Sequence, residues 1–456
     1  MDHGSTTTRG RQTARLIGVA GLLGIGIGGF LARARAPLFP DILDLSGPDP
    51  VRAAATRGVA LAAAALLVLA AGPVTRLAPG AFIAGAAAGV ASALLDSTDG
   101  GLLVSVAPPW VAAGPWLILA TVAAALSRRQ LASATASRAA RPRLTQEGGA
   151  SAMPRSSTEP APWALSGGVL IASSGVALGL EGLSRLALRL GLATRGEDIL
   201  LTAVLAAVLA LGGVVFGRAT SRPGDHRCAA LLLGAGVLGV AALALAGGIA
   251  EPLGFKALCA RIHADASLAG TPRVGAFVAL VVLVLPALAA GTAVHVARRP
   301  TTLAAMLLGA ALGVAAAPGL LEVAPVEWAR GEDAAGSAGL VRLGALIAGL
   351  GALLHAALHP GAGRLGLIGA SVGVVLGSAL LPVSPIPVLD PWERFPVQPI
   401  ALFETPDGQF SVVPTGAARR RVTLDQRALS PRSRELSGEA ARLRASIEAA
   451  VDEPVR

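Results

Sequence analysis

Charged and aromatic residues are scarce in this chain of 456 residues. Only 14% of the residues are charged and 3% are aromatic, whereas soluble domains carry about 25% charged residues. Tyrosine and asparagine are absent, and Lys256 is the only lysine. This composition argues against a soluble globular domain as the main body of the chain.

Residues that form disulfides or bind metals are also few. Cys228 and Cys259 are the only two cysteines, too few for a disulfide framework, and we interpret both as small buried apolar residues. We expect no metal and no cofactor. The formal net charge of +10 raises nucleic acid as a partner, but no basic and aromatic surface motif accompanies it, and we expect none.

Apolar blocks of about twenty residues recur along most of the chain, and that length matches the hydrocarbon core of a bilayer at helical rise. We therefore predict an all-α polytopic membrane protein of about eleven transmembrane helices, with the lipid bilayer as its main partner. The blocks 79–95 and 302–321 are the weakest, since the first is rich in Ala and Gly and Pro318 interrupts the second. The predicted spans are 15–32, 57–75, 79–95, 109–126, 164–184, 199–217, 228–250, 274–297, 302–321, 339–358 and 365–385.

Arginines concentrate in alternate loops, which indicates the orientation of a membrane protein. They occur in the N-terminal stretch, in the loops 127–162 and 218–227, and at Arg298 and Arg299. Acidic residues dominate several of the opposite loops. We predict a multi-pass protein of a bacterial cytoplasmic (inner) membrane, with a cytoplasmic N-terminus.

Composition also divides the chain into four parts. We predict a first membrane unit of about four spans over 1–126, a basic disordered linker over 127–162, and a second unit of about seven spans over 163–385. The Pro-rich segment after the last span begins a soluble α+β tail over 386–456. Its Val- and Thr-rich stretches predict two strands around a Pro-Thr-Gly turn, and a polar helix is predicted over 436–450.

Four segments together resemble the bacterial membrane proteins that fuse a multi-span domain to a spermidine-synthase-like domain. Residues 163–192 resemble that family's opening span, with Glu181, Arg185 and Leu186 at the places of its Glu and Arg-Leu pattern. Residues 274–299 and 307–321 are similar to two later spans. Residues 403–430, FETPDGQFSVVPTGAARRRVTLDQRALS, are similar to the β-hairpin that opens the spermidine-synthase-like domain.

The resemblance implies a membrane unit that holds or feeds a soluble domain. In that family the nucleotide-binding Gly-rich loop and the acidic residues for the aminopropyl donor follow the hairpin. We expect them to be missing from this chain, so that aminopropyl transfer would need a downstream or separate spermidine-synthase-like domain. As it stands, we expect the chain not to be catalytic.

One candidate polar site lies near the outer end of the fifth predicted span. Glu181, Arg185 and Arg189 follow each other at intervals of four residues, so they share one helix face. Ionisable residues in a span indicate function, here an anion-binding or polyamine-facing patch. Alternatively, the arginines extend to the headgroups and Glu181 neutralises one of them. We favour this second interpretation, because the charges cluster at the helix end.

His355 and His359 form a weaker candidate. Their spacing of four residues suits a metal, but Ala356 stands where a zinc protease needs Glu, and no further ligand lies nearby in the sequence. We favour two histidines at the membrane interface.

Three hypotheses for function remain at this point. The first is the membrane portion of a spermidine-synthase-like fusion protein. The second is a secondary transporter or permease for a small polar or cationic solute, with a site between repeated units. The third is a structural membrane protein that is not catalytic.

Overall fold

The computed structural model describes seven helical stretches and a small sheet. These are residues 4–34, 50–99, 109–139, 162–189, 299–323, 336–358 and 364–380, and then 401–405, 408–414, 420–424, 427–428 and residue 445. The predicted spans 199–217, 228–250 and 274–297 lie outside the described residues, as does the predicted helix 436–450 apart from residue 445.

The described residues form nine helices. Eight of them coincide with predicted apolar blocks, since an apolar run bounded by Pro, Gly or charge is the sequence pattern of a membrane helix. The other is the single turn α3. In chain order they are α1 (Gly4–Arg33), α2 (Pro50–Ala71), α3 (Val74–Leu77), α4 (Pro79–Asp99), α5 (Pro109–Ala139), α6 (Pro162–Arg189), α7 (Pro300–Val323), α8 (Gly336–Leu358) and α9 (Arg364–Leu380).

Glycine and proline end α2 four residues before the predicted boundary at residue 75. Gly72 has a φ of 66°, a left-handed conformation that favours glycine and commonly follows the last helical residue. Pro73 comes next and cannot donate a backbone hydrogen bond. The chain then forms α3 and enters α4 at Pro79.

Helix α5 is longer than predicted. It continues to Ala139, well into the segment 127–162 that we predicted as a disordered linker, and the prediction is corrected for residues 127–139. The residues after Leu126 are mostly Ala, Ser, Arg, Gln and Leu, and several of these are good helix formers. They prolong the helix beyond its apolar part. Residues 140–161 lie outside the described part.

Two prolines lie inside helices without ending them. Pro115 is in α5 and Pro318 is in α7. Helix α7 therefore runs through the point where the predicted span was interrupted. Neighbouring helices make this tolerable within a membrane.

Glycines let the first helices approach one another closely. A side chain at Gly85 or Gly89 of α4 would collide with the backbone of Gly21 or Ile25 of α1, so these two helices run parallel. On another face of α1, Gly26 meets Ala120 of α5. Gly29 meets Trp116, one turn earlier in α5, so that α1 and α5 are antiparallel.

The later helices repeat this mode of packing around α6. Gly309 and Gly313 of α7 meet Leu170 and Ser174 of α6, in a parallel arrangement. Helix α8 crosses α6 in the opposite direction: Gly168 lies against His355, Gly175 against Ala348, and Gly344 against Gly179. Helix α9 packs against α8.

One contact surface connects the two groups of helices. Helix α2 packs against α5 and also against α7, where Gly58 lies next to Ala311 and Ala315. We call this contact the α2–α7 seam. Buried apolar residues of α1, α2, α4, α5 and α7 belong to one continuous cluster, made largely of alanine. The described helices therefore follow one another through space in the order α4, α1, α5, α2, α7, α6, α8, α9.

Three of the described helices are long and apolar enough to cross a membrane. They contain the segments Gln12–Arg33, Ala54–Ala71 and Pro300–Leu320. Large apolar side chains lie exposed on the outside of the helices, among them Leu66, Ile118 and Leu312. Such a surface is typical of contact with lipid.

Four strands follow the helices. They are β1 (Ala401–Thr405), β2 (Gly408–Pro414), β3 (Arg420–Leu424) and β4 (Arg427–Ala428). The strands pair antiparallel in sequence order, β1-β2-β3-β4. In the register, Phe403 lies opposite Phe410, and Val412 lies opposite Val422.

Candidate functional site

Glu181 lies buried in the last third of α6, with 4% of its surface exposed. The helix face that leads to it carries Ser173 and Ser174, whose hydroxyls donate to carbonyls of the preceding turn of the same helix. Both serines therefore satisfy their hydrogen-bonding capacity locally. Glu181 is a carboxylate among apolar helices, and a buried charge requires partners.

The partner that the structure brings to Glu181 is Arg57 of α2. Arg57 Nη1 lies 3.3 Å from Glu181 Oε2 and donates a hydrogen bond to it. The two residues are 124 positions apart in the chain. Both residues are largely buried. The exposed fraction of the side chain alone is 10% for Arg57 and 5% for Glu181. The contact is therefore a buried ion pair between distant segments.

Small residues of α7 make this pairing possible. Gly58 follows Arg57 in α2. An ideal Cβ position on Gly58 lies 3.3 Å from the Cβ of Ala315 in α7. On the other side of α7, Gly313 packs against Ala177 and Leu178 of α6. Helices α2 and α6 thus both contact α7, and the long Arg57 side chain connects them.

Sequence reasoning missed Arg57 as a site residue, although its position carries a usable pattern. Ala54, Ala60 and Leu61 are buried, at distances of three and four residues from Arg57, so Arg57 lies on the same helix face. An arginine in phase with a stripe of alanines is directed toward other helices rather than toward lipid. That periodicity would have singled it out.

The two other arginines of the predicted patch lie further along α6. Arg185 and Arg189 follow Glu181 by one and two turns, and Arg189 is the last residue of the helix. Their side chains lie outside the described part. Within the predicted trio, the side chain that the structure describes is that of Glu181, and Arg57 reaches it from another helix. The patch itself stays a prediction.

A second arginine lies at the level of Glu181. In the antiparallel α6–α8 pair, Gly344 meets Gly179, so Arg342 is placed beside the turn that contains Glu181. Arg342 Nη2 donates to the carbonyl oxygen of Ala379, in α9. One carboxylate and at least two guanidinium groups therefore share one level of the bundle.

His355 lies at the crossing of α6 and α8. It is buried, with 7% of its surface exposed, and its backbone nitrogen is 2.9 Å from an ideal Cβ position on Gly168. His359 lies outside the described residues, and the pair of histidines stays a prediction. Across the described residues, no group of three or more His, Cys, Asp or Glu side chains is arranged to hold a metal ion.

The arrangement around Glu181 can hold charge, and among the described residues it offers no metal site. The carboxylate is neutralised by Arg57, and neutral pairs are the form in which ionisable residues are tolerated between membrane helices. Its chemistry is that of an electrostatic contact between helices. Comparison of the chain with protein-family models, with curated proteins and with solved structures finds no match.

Proposed function

We propose that this chain is a multi-pass membrane protein whose packed helices act as the membrane anchor of its C-terminal tail. The observation that carries the proposal is the continuous series of helix contacts from α4 to α9, most of them at glycines, which forms a packed bundle with apolar side chains on its outside. The resemblance to the membrane portion of spermidine-synthase-like fusion proteins leads to the same kind of role.

The proposal includes about eleven spans, with the N-terminus in the cytoplasm of a bacterium, and an α+β tail. Helix directions support it. If consecutive spans alternate in direction, α1 and α4 are parallel, whereas α1 and α5 are antiparallel, as are α6 and α8. The glycine contacts give these same directions. Three predicted spans lie between α6 and α7 in the chain. An odd number of intervening spans makes the two helices parallel, as their glycine contacts indicate.

Membrane anchoring makes a direct experimental demand. We expect the full-length protein to stay in the pellet when membranes are washed with alkaline carbonate, and to be released by detergent. A protein released by carbonate would contradict the proposal.

For the tail, a photo-crosslinker at Phe410 tests the partner, and we expect cross-linking to a soluble spermidine-synthase-like domain. Cross-linking to lipid alone would contradict the anchoring role.

A permease is the second candidate, and the buried Glu181 is the observation that favours it. A carboxylate between helices is a typical binding group for a cationic solute. Its neighbours weaken this hypothesis, because a solute such as spermidine would have to displace Arg57 at a level that also holds Arg342. Uptake of labelled spermidine by proteoliposomes, with Glu181→Gln compared against the exposed Arg129→Gln, discriminates the two functions.

A further inference from the structure

One ion pair joins two parts of the chain that a long connecting segment separates. Helices α1 to α5 come from residues 4–139, and α6 to α9 come from residues 162–380. The main contact between these parts is the α2–α7 seam, and the Arg57–Glu181 pair spans the same place. The apolar cluster is continuous across the seam.

Alanines make up most of the buried apolar residues of the seam. The buried residues of α2 that belong to it are mostly alanines, and α7 contributes Ala304, Ala310 and Ala311 beside the larger Leu303, Leu307 and Val314. Surfaces of small residues permit close approach, and the few larger side chains contribute to the choice of register. Packing therefore leaves part of that choice to a more specific contact.

A buried charged pair discriminates strongly between registers of α2 along α7. If α2 slid along α7 by one turn, about 5.4 Å, the buried Arg57 would lose the Glu181 carboxylate that its guanidinium contacts. An unpaired charge among apolar helices is costly. Single polar residues in otherwise apolar helix interfaces are known to specify register in this way.

We propose that the α2–α7 seam is a docking interface between residues 4–139 and 162–380, and that the Arg57–Glu181 pair sets its register. The partner of each part is the other part of the same chain. The pair acts as the specificity element of an interface whose affinity comes from small apolar residues. This inference is independent of what the tail or the bundle does.

Disulfide formation across the seam tests the proposal in the full-length chain. An ideal Cβ at Gly58 lies 3.3 Å from the Ala315 Cβ, close to the Cβ separation of about 3.5–4.5 Å in disulfides. Gly58→Cys and Ala315→Cys are introduced together after Cys228 and Cys259 are replaced by serine. A protease site within 140–161 is cut after oxidation, so that only the disulfide keeps the two parts in one band on a non-reducing gel.

The rate of cross-linking, normalised to maleimide labelling of the same cysteines, is then compared among charge variants. We expect Arg57→Glu and Glu181→Arg each to lower it roughly tenfold or more, because each leaves like charges buried together. The double variant Arg57→Glu with Glu181→Arg should recover at least half of the original rate. Arg76→Glu, an exposed arginine beyond the end of α2, is the matched control and should change nothing.

Two results would overturn the inference. One is an equal rate in all variants, which would mean that the seam keeps its register without the pair. The other is a charge-swapped protein as poorly cross-linked or as aggregated as the single variants. Aggregation of the single variants with recovery of a monodisperse, cross-linked double variant supports it, because a purely local disturbance would not be rescued.

Discussion

Arg57 and Glu181 lie 124 positions apart in the chain, yet their side chains meet at 3.3 Å inside the helical bundle. The contact connects a helix near the N-terminus to one beyond the long connecting segment. It turns two charges that lipid would disfavour into a neutral, buried unit. The stability of the bundle should therefore depend on the pair as a unit rather than on either charge alone.

Removing one charge should cost more than removing both. We expect Arg57→Met or Glu181→Leu to destabilise the detergent-solubilised protein by about 3 kcal/mol, since each leaves the other charge buried. The double variant Arg57→Met with Glu181→Leu should recover most of that loss, because apolar residues of similar size fill the space. Thermal unfolding of the four proteins as a double-mutant cycle measures the coupling, and purely additive losses would contradict it.

Two neighbouring glycines at the start of α6 should respond oppositely to alanine. A Cβ at Gly168 would stand 2.9 Å from the backbone nitrogen of His355, whereas nothing lies within 4 Å of one at Gly167. We expect Gly168→Ala to destabilise the protein by about 1–3 kcal/mol through overpacking. Gly167→Ala should be neutral or stabilise it by up to about 1 kcal/mol through helix propensity. Similar shifts of the unfolding midpoint for both variants would show that α6 and α8 do not cross there.

Arg128 should stabilise the end of α2. Its Nε donates a 2.7 Å hydrogen bond to the carbonyl of Ala70, among the last carbonyls of α2, where a positive charge also interacts favourably with the helix dipole. We expect Arg128→Gln to destabilise the protein by roughly 0.5–1 kcal/mol and to increase amide exchange near residues 70–72. The exposed neighbour Arg129→Gln is the control, and equal effects of both variants would argue against a specific role of this bond.

Accessibility of introduced cysteines tests the orientation. In a background without Cys228 and Cys259, we expect a cysteine at position 145 to be shielded from a membrane-impermeant maleimide in intact cells and one at position 330 to be labelled. A reporter that works only in the periplasm is fused after Arg456. It should be active if the number of spans is eleven, as proposed. Equal labelling at 145 and 330 would refute the alternation of loops.

The sequence predicts individual helices well because their information is local. The predicted blocks 339–358 and 365–385 correspond to α8 and α9 with small shifts at their ends, since apolar runs and their flanking residues mark membrane helices. The same reasoning failed at 127–139, where helix propensity continues beyond the apolar run. Hydropathy does not detect a helix that leaves the apolar layer.

Contacts between helices were beyond such reasoning. Glu181 was a candidate because a charge within an apolar run is conspicuous, and its expected partners lay on its own helix at the next turns. Arg57 became visible only once α2 and α6 were placed on α7, because a pairing over 124 positions depends on tertiary packing. The burial of His355 at a glycine crossing has the same origin.

The position of α1 between α4 and α5 has a consequence for biosynthesis. Its glycines face α4 on one side and α5 on another, and it leaves the ribosome before either of these helices. Translation at about 5–20 residues per second leaves the glycines that face α5 without their partner helix for on the order of ten seconds, until α5 is complete. During that interval the α5-facing glycines of α1 meet lipid, the insertion machinery or an early helix of a neighbouring polypeptide.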